Sequence, residues 1–321
     1  MNHHPYNCEH LRPKRFARRC GSRVGGLRVA VVGGDEQEAL YRRAANTLDI
    51  DLTYIKPFHR QSPNADSTEL SAPTEDVIDD LLARTKECDV VTLGHDSRLV
   101  CYLDILEGAG RTLRPAAPAF RFASDLASAR RVLRECGFDV VDDQWIDSGD
   151  SAAVQQFTRT HGWPVRLRPR PDAPSATDPS VVRPFTDLDE IWTSNNTHSW
   201  LLEACQPFAS ELVVTIARRP TGDVHPYPIA ETSPERCPSR PVAAVVKRRA
   251  APIATSIAHG IEATGLFTVT FLATPDGRLL IDKVATGPHH TADMECVGQP
   301  IRYVDHLRAI LDRPVPSARS A

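Results

Sequence analysis

Apolar residues in this chain come in short blocks separated by stretches of helical spacing. Leu27-Arg-Val-Ala-Val-Val-Gly-Gly reads as a buried parallel strand that ends in a glycine turn. From Glu36 to Leu48, Ala39, Leu40, Ala44 and Leu48 recur at the helical period. Asp51-Leu-Thr-Tyr-Ile is the next strand, so the three segments make a βαβ unit. Thr74 to Leu82 reads as a helix with Thr74 as its cap, and Asp89-Val-Val-Thr-Leu as a third strand. Residues 26–115 are therefore predicted to form an open, Rossmann-like α/β domain.

The pattern then changes. Ser124 to Gly137 is predicted as a helix, capped by Ser124 or Asp125 and stopped by Gly137. Val165-Arg-Leu-Arg and Ser180-Val-Val-Arg are short strands around a proline-rich loop. Trp200 to Ala204 and Glu211 to Arg218 are longer strands. Pro252 to Gly265 carries Ile253, Ile257, Ala258 and Ile261 on one helical face. Leu266 to His290 reads as two strands joined by a turn at Pro275-Asp276-Gly277, and Tyr303 to Leu311 as a last helix.

Composition narrows the function classes. At 321 residues, with 41% hydrophobic and 25% charged residues, the chain can fill two or three ordinary globular cores. A net charge of -3 gives no overall pull toward nucleic acid or anionic membranes, and no apolar run is long enough for a spanning helix. The eight cysteines form no CxxC pair and read as free thiols of a cytoplasmic protein. Residues 1–25 are polar and basic without the apolar core of a signal peptide, and read as a disordered tail; Cys8, His10 and Cys20 fit no standard zinc spacing. Gly33-Gly34 alone would suggest a dinucleotide site, but Asp35 and Glu36 follow at once and repel a phosphate at that helix start, so it reads as a plain βα turn.

Several of these segments, in order, resemble ATP-grasp ligases of the 5-(carboxyamino)imidazole ribonucleotide synthase type. Val29–Ile55 is similar to the family's first βαβ; Arg114-Pro115 and Ser124–Val140 to its Arg-Pro-Ser segment and the helix after it. Trp163–Arg170, Leu202–Val214, Gly222–Glu231 and His306–Leu311 are similar to later family segments. Leu266–His290 is similar to the family's metal-binding hairpin. The resemblance implies an α/β architecture with an ATP-grasp fold after the Rossmann-like domain, and an end before the family's usual small C-terminal domain. The expected domains are residues 26–115 and 116–316, the second divided into a lid subdomain at about 124–200 and a central subdomain at about 201–316, with a tail at 317–321.

The same resemblance implies roles for particular residues. Arg130 and Arg168 stand where the family has phosphate-binding lysines, Glu203 at the adenine hinge, and Glu211 where a glutamate accepts from the ribose. His289 matches a histidine of the aminoimidazole ribonucleotide pocket. The two magnesium-binding glutamates correspond to Thr270 and Lys283. Asp282 is adjacent, but strand neighbours point to opposite faces, so it serves a metal only if the register slips by one. The glycine-rich phosphate loop is replaced by Arg170-Pro-Asp-Ala-Pro-Ser-Ala-Thr-Asp-Pro, in which every glycine is gone and prolines, which supply neither an N–H nor positive φ, replace backbone donors. The expectation is an ATP-grasp protein with lost or altered carboxylation, with ATP as its ligand and magnesium poorly served. A divergent active ligase and a non-enzymatic partner of an intact homologue are the rival readings. Homodimerisation is left open, and neither nucleic acid nor membrane is expected as a partner.

Overall fold

The computed structural model describes residues 26–57, 73–94, 97–170, 179–194, 197–205, 210–232, 243–288 and 299–316. Its first unit is a parallel sheet of order β2-β1-β3, from β1 (Arg28–Val32), β2 (Asp51–Ile55) and β3 (Val90–Leu93). Every residue of β3 is buried, as expected for a parallel strand covered on both faces. Helices α1 (Asp35–Leu48) and α2 (Glu75–Thr85) return the chain between strands. Thr74 precedes α2 as expected, but its side chain makes no capping hydrogen bond.

A short 3-10 turn (Ser97–Tyr102) and α3 (Leu103–Gly108) lead to α4 (Ala117–Ser124) and α5 (Leu126–Glu135). The predicted helix beginning at Ser124 is thus the second of two. Asp125 sits in extended backbone between them, and its carboxylate accepts from Ser128 N at 3.0 Å. That cap is what separates the helices.

Two antiparallel sheets follow. The smaller has order β4-β7-β5-β6, from β4 (Asp143–Asp147), β5 (Val165–Pro169), β6 (Ser180–Val182) and β7 (Ser199–Ala204). Helices α6 (Ser151–His161) and α7 (Leu188–Ser194) bury one of its faces around Val165, Leu167, Trp200 and Leu202. Its other face carries Asp143, Trp145, Arg166, Arg168, Leu201 and Glu203, by strand alternation.

The larger sheet has order β10-β8-β11-β12, with β9 (Val224–Pro226) also paired to β8. Its strands are β8 (Ser210–Arg218), β10 (Ala230–Thr232), β11 (Gly265–Ala273) and β12 (Leu279–Thr286). One face packs Phe267, Val269 and Phe271 against α8 (Ala244–Gly260). Each such buried aromatic or aliphatic side chain contributes about 1.5–3 kcal/mol. Helix α8 starts eight residues before the predicted Pro252, which lies inside it. Burial of Val246 and Ala250 in the same core outweighs the helix bond that proline cannot make.

The last helix, α9 (Gln299–Ile310), joins the two ends of the chain. Tyr303, Val304, Leu307 and Ile310 pack with Val29, Val31 and Tyr41 of the first unit. On its other side, Leu266 N donates to His306 Nδ1 at 3.1 Å. His306 Nε2 lies 3.2 Å from Thr92 Oγ1, so with Nδ1 accepting, Nε2 is the donor. One neutral imidazole thus bridges β11, α9 and β3. Gly265 makes room for it: a Cβ there would lie 2.6 Å from the ring, and its φ is +95°.

Candidate functional site

Arg130 lies on α5 and is 1% exposed. Its Nε donates to Asp282 O at 2.8 Å and its Nη2 to Asp282 Oδ1 at 2.9 Å. Nη1 donates to Asp143 Oδ2 at 3.1 Å and stands 2.8 Å from Glu203 Oε1, an ion pair without aligned hydrogen-bond geometry. One guanidinium therefore ties α5, β4, β7 and β12 together, linking the smaller sheet to the edge of the larger one. Burial pulls its pKa down, but Glu203, Asp282 and Asp143 outweigh that, so it is held charged.

Asp282 reaches Arg130 because β12 is irregular. Thr270 pairs with Lys283, while the next residue, Phe271, pairs with Ile281. Asp282 is the extra residue of a β-bulge, with both its carbonyl and its carboxylate engaged by Arg130.

Residues directly opposite in a sheet point to the same face. Thr270 pairs with Val213 on β8 and Lys283 on β12, and Glu211 pairs with Leu272 two positions along. Glu211, Thr270 and Lys283 thus share the face opposite α8. Thr270 is 1% exposed, whereas Lys283 is exposed and makes no ion pair among the described residues. A magnesium ion asks for hard anionic oxygens. Here the paired positions offer one buried hydroxyl and one ammonium, and the neighbouring carboxylate is already bound to Arg130. These residues do not fit the metal. Among the described residues no group of three or more His, Cys, Asp or Glu has a metal-ligand arrangement.

Arg168 sits on β5 with its Nη2 donating to Glu203 Oε2 at 3.2 Å. Its Nε is buried without a hydrogen-bond partner. Glu203 is 1% exposed and is also 3.7 Å from Arg166. The structure therefore brings Arg130, Arg168 and Glu203 into one cluster and sets Glu211 apart, on the larger sheet. His289 and the loop at 171–178 lie outside the described residues, as does the tail with Cys8, His10 and Cys20.

The loop after β1 is filled from within. Tyr54 OH donates to Gly34 O at 2.7 Å, and a Cβ on Gly33 would lie 2.5 Å from that hydroxyl. Gln37 is buried against Gly94, with its Nε2 3.4 Å from Pro288 O. At the surface, Lys56 pairs with Asp35 at 2.6 Å and Glu38 at 2.5 Å. The hydrogen bond from Lys56 holds the Glu38 carboxyl below its usual range. The start of α1 thus carries its own acids, as the sequence reading expects.

An open cleft of about 430 Å³ lies between the 3-10 turn, α4, the start of α5 and the polar face of the smaller sheet. Arg98, Arg121, Arg168, Arg170, Asp125 and Trp145 are among its lining residues. Sequence reading singled out Arg168 alone of these as a ligand group. Arg98, Arg121 and Trp145 come from segments far apart in the chain, and no local motif marks them.

A profile of the ATP-grasp domain matches residues 131–301, just over half of the chain. The chain belongs to the ATP-grasp family. Its relatives include N5-carboxyaminoimidazole ribonucleotide synthase of Synechococcus elongatus, 25% identical over 304 residues that cover 90% of this chain and 74% of that one. Phosphoribosylaminoimidazole carboxylase of Saccharomyces cerevisiae is 24% identical, over 90% of this chain and 52% of its own. This chain thus spans about half the length of the yeast relative. A crystal structure of N5-carboxyaminoimidazole ribonucleotide synthetase in complex with ADP superposes with a TM-score of 0.74 at 20% identity, covering 92% of this chain and 79% of that one. The Aspergillus clavatus synthase in complex with ADP and 5-aminoimidazole ribonucleotide gives 0.72 at 21% identity, with 91% and 78% covered. The ATP-grasp architecture expected from the sequence is therefore the one found. Among the described residues no helix is long and apolar enough to cross a membrane.

Proposed function

We propose that this protein is an ATP-grasp chain that has lost the ATP-dependent carboxylation its relatives' names describe and retains weak, magnesium-independent binding of an adenine nucleotide. The observation that carries the reading is the Thr270–Lys283 pair. The two positions that the resemblance assigns to metal glutamates oppose each other in register and present a hydroxyl and a cation. Asp282, the acid next to Lys283 in the chain, is engaged by Arg130.

Phosphoryl transfer depends on neutralising charge that develops on the phosphates, and metal ions supply much of that. Lys283 brings one positive charge to the same face, where a divalent ion brings two and coordinates the phosphate oxygens directly. In this reading Arg130 is a structural tie between the two sheets rather than a phosphate ligand. Arg168, with an unpartnered buried N–H, is the residue kept for anions, and Glu211 remains the ribose candidate.

The test is ADP formation by the purified protein given ATP, magnesium, bicarbonate and aminoimidazole ribonucleotide. No ADP above background is expected. Turnover of about 1 s⁻¹ or faster that Arg168→Ala abolishes would overturn the reading in favour of a divergent ligase with Lys283 as replacement cation.

A further inference from the structure

Arg302, near the start of α9, is a half-buried cation without an acid of its own. Its Nη1 donates to Thr215 Oγ1 at 3.2 Å, and its guanidinium carbon lies 5.7 Å from the ring centroid of Tyr227. It makes no ion pair among the described residues. Asp305 is its nearest source of negative charge, but that carboxylate is already held: Oδ2 accepts from Tyr227 OH at 2.6 Å and Oδ1 from Arg308 Nη1 at 3.2 Å. Burial pulls the Arg302 pKa below its ordinary value. Its Nε and Nη2 make no hydrogen bond among the described residues, and neither is sealed from solvent. A guanidinium taken partly out of water, resting on a ring and a neutral hydroxyl, presents an open two-nitrogen edge that matches a carboxylate.

Lys283 is the second such cation on this face of the larger sheet. Thr215 pairs with Thr268 on β11, and Thr270, two residues along, pairs with Lys283 on β12. Thr215 and Lys283 are thus two strands and two residues apart, about 12 Å between Cα atoms, with a flexible lysine stem to shorten the gap. Glu211 shares the face but lies beyond Thr270, away from Arg302, beside Leu272. The first turn of α9 carries no acidic residue, so the positive end of its dipole adds to the charge near Arg302.

We propose that Arg302 and Lys283 together bind a short aliphatic dicarboxylate, one carboxylate on the Arg302 fork and the other on the Lys283 ammonium. The two cations are too far apart to converge on a single small anion, and each is matched by one carboxylate. The proposal goes beyond the nucleotide reading and rests on it only for Lys283, which a bound metal ion would repel; Arg302 stands outside it.

The experiment is calorimetric titration of the full chain with sodium succinate in EDTA, without nucleotide. Saturable binding is expected, tighter than that of sodium acetate because the second carboxylate binds at high effective concentration. Arg302→Gln should lose about tenfold or more in succinate affinity, and Arg302→Lys, which keeps the charge but not the fork, less. Lys283→Gln, an exposed change that leaves the packing alone, should bring succinate down to the level of acetate and so tests the site even where Arg302→Gln fails to fold. Arg159→Ala, in the last turn of α6, should change nothing. No succinate binding, no preference over acetate, inorganic phosphate binding as tightly as succinate, or unchanged affinity in Lys283→Gln overturns the assignment. Each of those results leaves the ADP-formation test standing, so failure here and failure of the proposed function are told apart.

Discussion

Arg130 Nη2 stands 2.9 Å from Asp282 Oδ1, on a bulge that turns this aspartate toward the helix rather than leaving it in the strand ladder. Asp143 and Glu203 complete the cluster, so three carboxylates from two sheets share one buried cation, with Arg134 on Asp143 and Arg168 on Glu203 as further partners.

Removing that cation should be costly. Arg130→Met takes the ion-pair partner from Asp282 and the shared one from Asp143 and Glu203, which keep Arg134 and Arg168, and is expected to lower unfolding stability by about 3 kcal/mol near neutral pH. Asp282→Asn should cost less, because Asp143 and Glu203 remain. Urea unfolding of both variants is the check; equal, small losses would mean that the cluster is better solvated than its burial indicates.

The facing pair Thr270 and Lys283 can be turned back toward a metal site. Thr270→Glu with Lys283→Glu places two carboxylates opposite each other and should create a magnesium-linked gain in ADP affinity. Lys283→Glu alone should do less. Thr270 is 1% exposed, so some loss of stability is expected in the double variant. Calorimetry with ADP and magnesium decides it, and no gain over the parent would show that these positions do not act on one ligand.

In the unmodified protein, ADP affinity should change by less than about threefold, under 1 kcal/mol, between EDTA and magnesium. A large magnesium-dependent gain would place metal ligands elsewhere, among residues such as Glu211.

His306 should make stability fall in acid. Burial pushes its pKa down to about 3, from an ordinary 6.5. The folded state holds the ring neutral while the unfolded chain takes a proton. Its contribution is therefore complete above pH 6.5 and is lost as pH falls toward 3, by about 1.4 kcal/mol per pH unit. Unfolding of the wild type and of His306→Gln across that range should differ in slope by this amount. Parallel curves would mean that the imidazole is reached by water.

Gly265→Ala should destabilise the same junction by roughly 2 kcal/mol or more, since a Cβ would meet His306 and Ile310 at 2.6 and 2.9 Å on a backbone at φ +95°. Thermal unfolding measures it.

Much of this was legible in the chain. Val29 to Val32 read as a buried parallel strand because both faces had to be apolar, Asp51 to Ile55 read as the next strand of the βαβ unit, and the hairpin at Leu266–Thr286 read correctly because its turn residues and apolar runs are local. Those features depend on neighbours in sequence, as does the order of segments that marks an ATP-grasp protein. The Thr270–Lys283 pairing came from the resemblance alone: the register that follows from the turn, with Ala273 opposite Leu279, would set Thr270 opposite Asp282, and the bulge moves it by one.

Tertiary structure decided the rest. Nothing near Arg130 in the sequence announces Asp282, 152 residues away, or the bulge that delivers it. A phosphate-binding arginine and a buried structural one have the same local signature; only the burial of the guanidinium among three acids tells them apart. The cleft is the same case: its arginines come from three segments whose spacing carries no period, and they form one charged surface only because the smaller sheet folds over the start of α5. Sequence determines local backbone preferences and which faces must be buried. Long-range side-chain pairing is set by packing, and it is packing that assigns each charge here to the interior or to the cleft.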